Sequence, residues 1–198
     1  MESQNKYRKK LLEAMVYFAS ALKNPTKMMM YKVLAEFDFR HIEQTGLPVT
    51  NLEYEAWEMG PVPRELHNEI TKGKELVLPD DFQKSLYADK EEFIDKVTGE
   101  TKSKFIFHNK RKADLSVFSP RQVKILEQIA EIYKYTTATN ASKASHEYDK
   151  PWARTVKKKG EGAIIDYTDQ ITDKTPLNKE EAEEWRRESL AFKKNMNG

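Results

Sequence analysis

The stretch DFRHIEQTGLPVTNLEYEAWEMGPVPRELH, residues 38–67, decides more of the fold than any other part of this chain. Tyr54 and Trp57 precede the segment Gly60-Pro61-Val62-Pro63, in which the glycine can adopt a positive φ while each proline fixes its own φ. Proline also disfavours the αR conformation of the residue before it and is well tolerated in the first turn of a helix. The segment is therefore predicted to end one element and begin a helix. A rigid corner beside aromatic side chains suits a binding surface better than proton transfer.

Outside this stretch, the spacing of apolar residues predicts a mainly α-helical chain. Apolar side chains recur every three or four positions in most segments. Ser119 with Gln122, and Asn178 with Glu181, have the spacing of capping boxes that begin helices. Seven helices are predicted, over residues 6–23, 25–45, 63–72, 120–133, 140–147, 151–159 and 179–195.

The second of these helices has the clearest ends. Asn24 followed by Pro25 is predicted to supply its N-cap and first helical position. Gly46 suits the position just after its last turn, where a left-handed backbone is common. Apolar residues surround much of its circumference, so this helix is expected to be central to the core.

Short β elements are expected between the helices. Residues 47–58 alternate partly between apolar and polar, which favours a short strand or an extended segment. The apolar runs 104–107 and 115–118 flank a polar loop and predict a small antiparallel hairpin. The predicted fold class is mainly α, a single compact helical domain over residues 1–174 with a small antiparallel β element. The charged helix within residues 175–198 is expected to pack on the same domain.

Composition narrows the class of protein. A chain of 198 residues is long enough for one well-buried domain. Its net charge of +2 gives no support to a generic nucleic-acid binder, which would more often carry a strong basic excess. The absence of cysteine excludes disulfides and thiolate metal sites and fits a reducing compartment. No apolar run approaches the length of about 18 residues typical of a membrane span. We therefore expect a cytoplasmic protein with no membrane partner.

The sequence contains no recognisable catalytic, metal or phosphate site. The four histidines, His41, His67, His108 and His146, lack the short spacing of metal ligands carried on one helix. The chain has no G-x-S-x-G motif around a nucleophilic serine and no glycine-rich phosphate loop. The expectation is a protein that is not an enzyme and that uses no cofactor and no metal.

Several spaced motifs resemble those of a known family. They are Thr26-Lys27, Leu34–Asp38, Thr45-Gly46, Tyr54–Trp57, Gly60–Pro63, Phe118–Pro120, Ser145–Glu147 and Pro151-Trp152. In order, spacing and residue identity they resemble the Panacea domain family, the SocA-like proteins associated with phages and plasmids, over roughly residues 10–170. Met28–Met30 depart from the pattern, because relatives usually carry Leu or Phe there, but they keep the apolar face.

The resemblance implies an antitoxin that neutralises a cognate protein toxin by direct binding, without catalytic residues. The residues it suggests for partner binding are Asp38, Tyr54, Trp57, Gly60, Pro61, Val62, His146 and Trp152. His146 is either a hydrogen-bonded corner that links a short helix to Trp152 or a partner contact, and the corner is favoured. Trp57 and Trp152 are interface anchors if exposed and core residues if buried, and their place in the motifs favours burial.

Two other functions remain open at this point. A proteolytic adaptor, as SocA itself exemplifies, would tether its toxin to a AAA+ protease, so toxin loss would require that protease. A nucleic-acid-binding regulator would use basic patches such as Lys6–Lys10, Lys110–Lys112 and Arg154–Lys159, but no separate helix-turn-helix extension is evident. The apolar stripe of the last helix is narrow, so residues 175–198 are expected to be dispensable or to add a second contact.

Overall fold

Two long helices form the centre of the fold. The computed structural model describes residues 2–95, 98–146, 150–173 and 175–196. Helix α1 spans Glu2–Ala21 and α2 spans Lys27–Thr45. Nearly all apolar side chains of α2 are buried around its circumference, which confirms that this helix is central. The predicted Gly46 ends it in the left-handed conformation, with φ 69°.

The start of α2 differs from the prediction. Its N-cap is Thr26 rather than Asn24, and the Thr26 hydroxyl accepts a hydrogen bond from the Met29 amide at 3.1 Å. Pro25 lies before the helix, and its carbonyl accepts a hydrogen bond from the Phe107 amide at 3.0 Å. Residues 25 and 26 therefore run beside a β-strand, and this tertiary contact outweighs the preference of proline for the first helical turn.

The proline-rich corner is itself a β-strand. Strand β1 (Tyr54–Trp57) pairs antiparallel with β2 (Gly60–Pro63), and two residues form the turn between them. Gly60 has the expected positive φ, at 111°. Because β2 is an edge strand, it tolerates two prolines, so the corner predicted as a junction is corrected to one arm of a hairpin. Helix α3 (Arg64–Ile70) begins directly after it, as expected.

Helix α3 ends two residues before its predicted end. The residues that follow form strand β3 (Thr71–Lys72), which pairs with β4 (Glu75–Leu76) around a turn at Gly73. Gly73 takes a left-handed φ of 62° in the turn of this small hairpin, after the helix has already ended. A short helix, α4 (Asp80–Gln83), then leads to the longest strands.

The long hairpin pairs different segments from those predicted. Strand β5 (Leu86–Ile94) pairs with β6 (Thr101–Asn109), so residues 104–107 form a strand whose partner lies upstream. The predicted second strand at 115–118 is wrong. Residues Leu115–Val117 form a 3₁₀ helix, capped by the Asp114 side chain, which accepts a hydrogen bond from the Ser116 amide at 3.1 Å.

The second half of the chain is helical. Its elements are α5 (Pro120–Tyr133), α6 (Ala138–Ser145), α7 (Pro151–Lys159), a 3₁₀ helix (Tyr167–Gln170) and α8 (Lys179–Met196). Both predicted capping boxes are present, at the starts of α5 and α8. Helix α6 begins two residues earlier than predicted because Thr137 caps it, and the predicted last residue of this helix, Glu147, lies outside the described residues.

The start of α8 packs against the end of α2. Ala182 is buried, and a Cβ placed on Gly46 would lie 3.1 Å from the Ala182 Cα. In the part of the chain that the structure describes, eight α-helices and three two-stranded antiparallel sheets give a mainly α fold with small β elements, as predicted. The boundary between residues 1–174 and 175–198 stays a prediction. Among the described helices, none has the length and apolar character needed to cross a membrane.

Candidate functional site: the hairpin and its supports

Asp38 fixes the loop that leads into the hairpin. Its carboxylate, fully buried on α2, accepts hydrogen bonds from the amides of Val49 at 2.7 Å and Thr50 at 2.8 Å. It also accepts from the Thr50 hydroxyl and, at 2.9 Å, from the Tyr54 hydroxyl. One carboxylate thus serves four donors, and it ties the loop and the start of β1 to the central helix.

Burial determines the protonation behaviour of this cluster. It raises the pKa of the Asp38 carboxyl to about 6, although the four hydrogen bonds oppose the increase. Burial also raises the pKa of Tyr54 well above its usual range, and the charge of Asp38 adds to that effect. Tyr54 therefore remains a protonated donor to Asp38. Both residues support the hairpin from beneath.

One side of the hairpin presents an exposed aromatic ring. Trp57 is 36% exposed, and its Nε1 donates a hydrogen bond to Glu55 Oε2 at 2.8 Å. Its ring meets the His67 ring edge to face, with centroids 5.0 Å apart. Glu55 also accepts a hydrogen bond from Arg64 Nη1 at 2.7 Å. The indole is therefore held in place on two sides, which reduces the side-chain entropy that a partner would have to immobilise.

A third extended segment widens this side. The Gly162 amide donates to the Ala56 carbonyl at 2.8 Å, and the Ile165 amide donates to the Tyr54 carbonyl at 2.8 Å. Ile164 lies opposite Glu55 in an antiparallel bridge. Opposed residues on neighbouring strands point to the same side, so the exposed Ile164 shares a side with Trp57. We call this surface the hairpin face; it consists of Glu55, Trp57, Arg64, His67 and Ile164.

Two later motif residues, His146 and Trp152, pack behind the hairpin. Trp152 Nε1, on α7, donates a hydrogen bond to the Trp57 carbonyl at 2.8 Å. His146, at the end of α6, stacks on Trp152 with centroids 3.7 Å apart and planes 15° apart. His146 thus links α6 to Trp152, but through ring stacking rather than through the hydrogen bonds of the favoured interpretation. Within the described part of the chain, the buried His146 Nε2 has no hydrogen-bond partner.

The turn of the hairpin is held by two further side chains. The Met59 carbonyl accepts hydrogen bonds from Ser142 Oγ on α6, at 3.0 Å, and from Lys32 Nζ on α2. Lys32 is buried, and burial lowers its pKa to about 8. Three helices, α2, α6 and α7, therefore fix the backbone of the turn while Met59 itself stays about half exposed, at 49%.

The structure places the eight predicted partner-binding residues in three groups. Trp57 is exposed, so the expectation that it is buried is wrong, and Trp152 is partly buried. Five of the residues are buried and shape the hairpin, so they would affect partner binding only indirectly. They are Asp38, Tyr54, Gly60, Pro61 and Val62. His146 and Trp152 support the same hairpin from behind. Partner binding itself stays a prediction for all eight.

Comparison with models of known protein families gives one match to this chain. A family model described as Antitoxin SocA-like, Panacea domain, matches residues 30–153. The chain belongs to this family. No curated protein and no solved structure shows a significant match to it. The matched part of the chain includes most of α2, the whole β1–β2 hairpin and the start of α7, which are the elements that meet at Trp57 and Trp152.

Several residues of this site were not identified from the sequence. Lys32 was hidden among the apolar residues of α2, although a lysine inside an otherwise buried helix was a usable signal. Glu55, Arg64 and His67 carry no separate sequence signal, and Ile164 joins the site only through the fold. Within the described residues, no group of three or more histidine or acidic side chains is placed to hold a metal ion.

Proposed function

We propose that this Panacea-domain chain is an antitoxin that neutralises a protein toxin by binding it directly as a folded body, with the hairpin face as the contact surface. The observation that carries the proposal is Trp57, an exposed indole whose N–H is already satisfied and whose ring rests on His67. Tryptophan is strongly enriched among the residues that dominate binding energy at protein interfaces.

The surroundings of Trp57 also suit an interface. Glu55 and Arg64 form an ion pair beside the indole, which resembles the polar rim around an apolar anchor. Ile164 adds a second exposed apolar side chain on the same face. The backbone beneath is fixed by hydrogen bonds from three helices, so binding to this face requires little ordering of the chain.

The experiment is co-expression with the protein encoded by the adjacent reading frame, which is the expected toxin. Growth rescue is scored, the complex is purified through a tag on one partner, and toxin level is followed by immunoblotting. Direct neutralisation predicts rescue, a stoichiometric complex and an unchanged toxin level. The same assay is repeated in cells that lack the AAA+ protease under test.

The protease arm separates binding alone from delivery to a protease. Rescue that persists without the protease supports neutralisation by binding. Rescue that disappears with the protease, together with toxin loss when the protease is present, would replace our proposal with the adaptor function. Rescue without any complex and with reduced toxin transcript would instead indicate a nucleic-acid-binding regulator.

A further inference from the structure

A cavity of about 150 Å³ lies behind the hairpin, between α2, α6 and α7. Its lining combines apolar side chains, among them Ala35, Phe39 and Pro151, with polar and charged ones. The buried Lys32 also lines it, so a positively charged side chain borders a small space with both apolar and polar walls. Cavities of this type accept groups that combine an apolar stem with one charged end.

Within the described residues, Lys32 has no negatively charged partner. Among the described residues, no carboxylate forms an ion pair with its ammonium group. The ammonium group donates a hydrogen bond to the Met59 carbonyl, which also accepts one from the Ser142 hydroxyl. Glu36 lines the same cavity, but Arg40 Nε already binds its carboxylate at 2.6 Å. Buried charges in proteins are normally paired, because isolating one from water is costly. An uncompensated ammonium group facing a cavity therefore points to an anion that arrives from outside.

The composition of the lining indicates which kind of anion fits the cavity. Lys32 offers a single buried positive charge, and Lys150, which is half-buried, adds a second one to the lining. A phosphate dianion usually needs several charge-assisted donors, often from arginine, and the arginine here is occupied by Glu36. The apolar part of the lining instead matches the methylene groups of an acidic side chain, and the lysines match its carboxylate.

We propose that this cavity receives the carboxylate of a glutamate side chain of the toxin, and that Lys32 forms the ion pair with it. The inference rests on the proposed function, because it names the chemistry by which the toxin is recognised. The cavity lies behind the hairpin whose turn Lys32 supports, so this contact would be separate from the hairpin face.

The first arm of the test uses no toxin. Propionate, which is a glutamate side chain without its backbone, is titrated into the purified chain while the Hε–Cε signals of Lys32 are followed by NMR. These signals are assigned by their absence in Lys32→Met. A saturable shift with propionate, and none with propionamide, is expected. A response to phosphate as strong as that to propionate, or no response to propionate, would overturn the carboxylate assignment.

The second arm measures toxin binding by Lys32→Met, with Lys23→Met as the matched control. Lys23 is exposed on the loop before α2, so its replacement makes the same change in net charge at a distance. Lys32→Met should bind the toxin about 30-fold more weakly or worse, because truncating one member of a buried interfacial charge pair is strongly unfavourable. Lys23→Met should bind as the parent chain does.

Thermal stability decides whether Lys32 is only a structural residue. Removing an uncompensated buried charge should leave the melting temperature of Lys32→Met unchanged or raise it, since Ser142 still serves the Met59 carbonyl. A lower melting temperature with unchanged toxin affinity would make Lys32 structural and overturn the inference. Equal toxin binding by both lysine variants overturns it while leaving the proposed function intact. If the parent chain does not bind the toxin, the proposed function is wrong. The propionate titration still tests whether the cavity binds a carboxylate.

Discussion

Replacing Asp38 tests how the hairpin is held in place. Asp38→Ala would leave the buried amides of Val49 and Thr50 without acceptors, and would remove the acceptor of the Thr50 and Tyr54 hydroxyls. Each buried amide without a partner costs about 1–3 kcal/mol, whereas the hydroxyls can turn towards other acceptors. We expect Asp38→Ala to lower the free energy of unfolding by about 3–5 kcal/mol.

Asp38→Asn is the matched control, because it keeps the shape of the side chain. The amide oxygen can still accept from Val49 and Thr50, and the two hydroxyls can rotate to accept from the new NH₂ group. It also removes a charge whose burial is unfavourable. We expect a change of less than about 1.5 kcal/mol at pH 7.

The pH dependence gives the same pair a second readout. The pKa of Asp38 in the folded chain, about 6, lies above its ordinary value of 3.8. A raised carboxyl pKa means that the stabilising contribution of the protonated form is complete below pH 3.8 and is lost as the pH rises through about 6. As the pH rises from about 4 to 7, the free energy of unfolding of the parent chain should therefore fall relative to that of Asp38→Asn by up to about 3 kcal/mol.

Urea denaturation followed by circular dichroism measures both variants at the two pH values. A loss below about 1 kcal/mol for Asp38→Ala would show that the loop does not depend on this carboxylate. Equal losses for the alanine and asparagine variants would show that the hydrogen-bond geometry is not what matters. A stability difference that does not change with pH would contradict the raised pKa.

Three further predictions concern the backbone and the last helix. Gly46→Ala should lower the free energy of unfolding, measured in urea, by about 2–4 kcal/mol, because its Cβ would meet Ala182. Gly73→Ala, with a similar φ but open space around it, should lower it by about 1 kcal/mol, and equal losses would argue against the docking of α8. Gly60→Val should lower the melting midpoint through a strain of about 1–3 kcal/mol at φ 111°, and an unchanged midpoint with lost toxin binding would place this corner on the interface. Deleting residues 175–198 should lower the melting temperature yet preserve growth rescue in co-expression; a folded truncation that no longer rescues would move recognition to α8.

Local signals in the sequence predicted much of the helical framework. The capping boxes at Ser119 and Asn178, the left-handed Gly46 and the positive φ of Gly60 all follow from interactions within a few residues. The strand pairings did not follow, because they depend on distant residues. The run LYADKEEFI, which forms β5, is rich in charged residues and mostly exposed, so it carries little apolar signal for a strand.

The hairpin β1–β2 shows a similar limit. Its two-residue turn is Glu58-Met59, which lacks the Asn-Gly or Asp-Gly pair that marks a hairpin in sequence. Hydrogen bonds from Lys32 and Ser142 to the Met59 carbonyl stabilise the turn instead. These contacts join residues far apart in the chain, so only the folded structure reveals them.

The candidate site was predicted as a set of motifs but not as an arrangement. The motifs named Trp57 and Trp152 separately, and the fold joins them through one hydrogen bond across 95 positions of sequence. The exposure of Trp57 depends on how the hairpin packs on α2, which the sequence pattern does not determine. The buried Lys32 likewise becomes informative only when the fold shows that no acidic side chain among the described residues pairs with it.

The central claim is that Trp57 anchors the toxin on a rigid face of the folded chain. Isothermal titration of the toxin with Trp57→Ala and with Trp185→Ala tests it most directly, because both indoles are exposed, at 36% and 45%, and only the first lies on the hairpin face. We expect Trp57→Ala to weaken binding by about 30-fold or more, the effect of losing an interface anchor, and Trp185→Ala to bind within about twofold of the parent chain. Unchanged binding by a folded Trp57→Ala, or a larger loss with Trp185→Ala, would contradict the account.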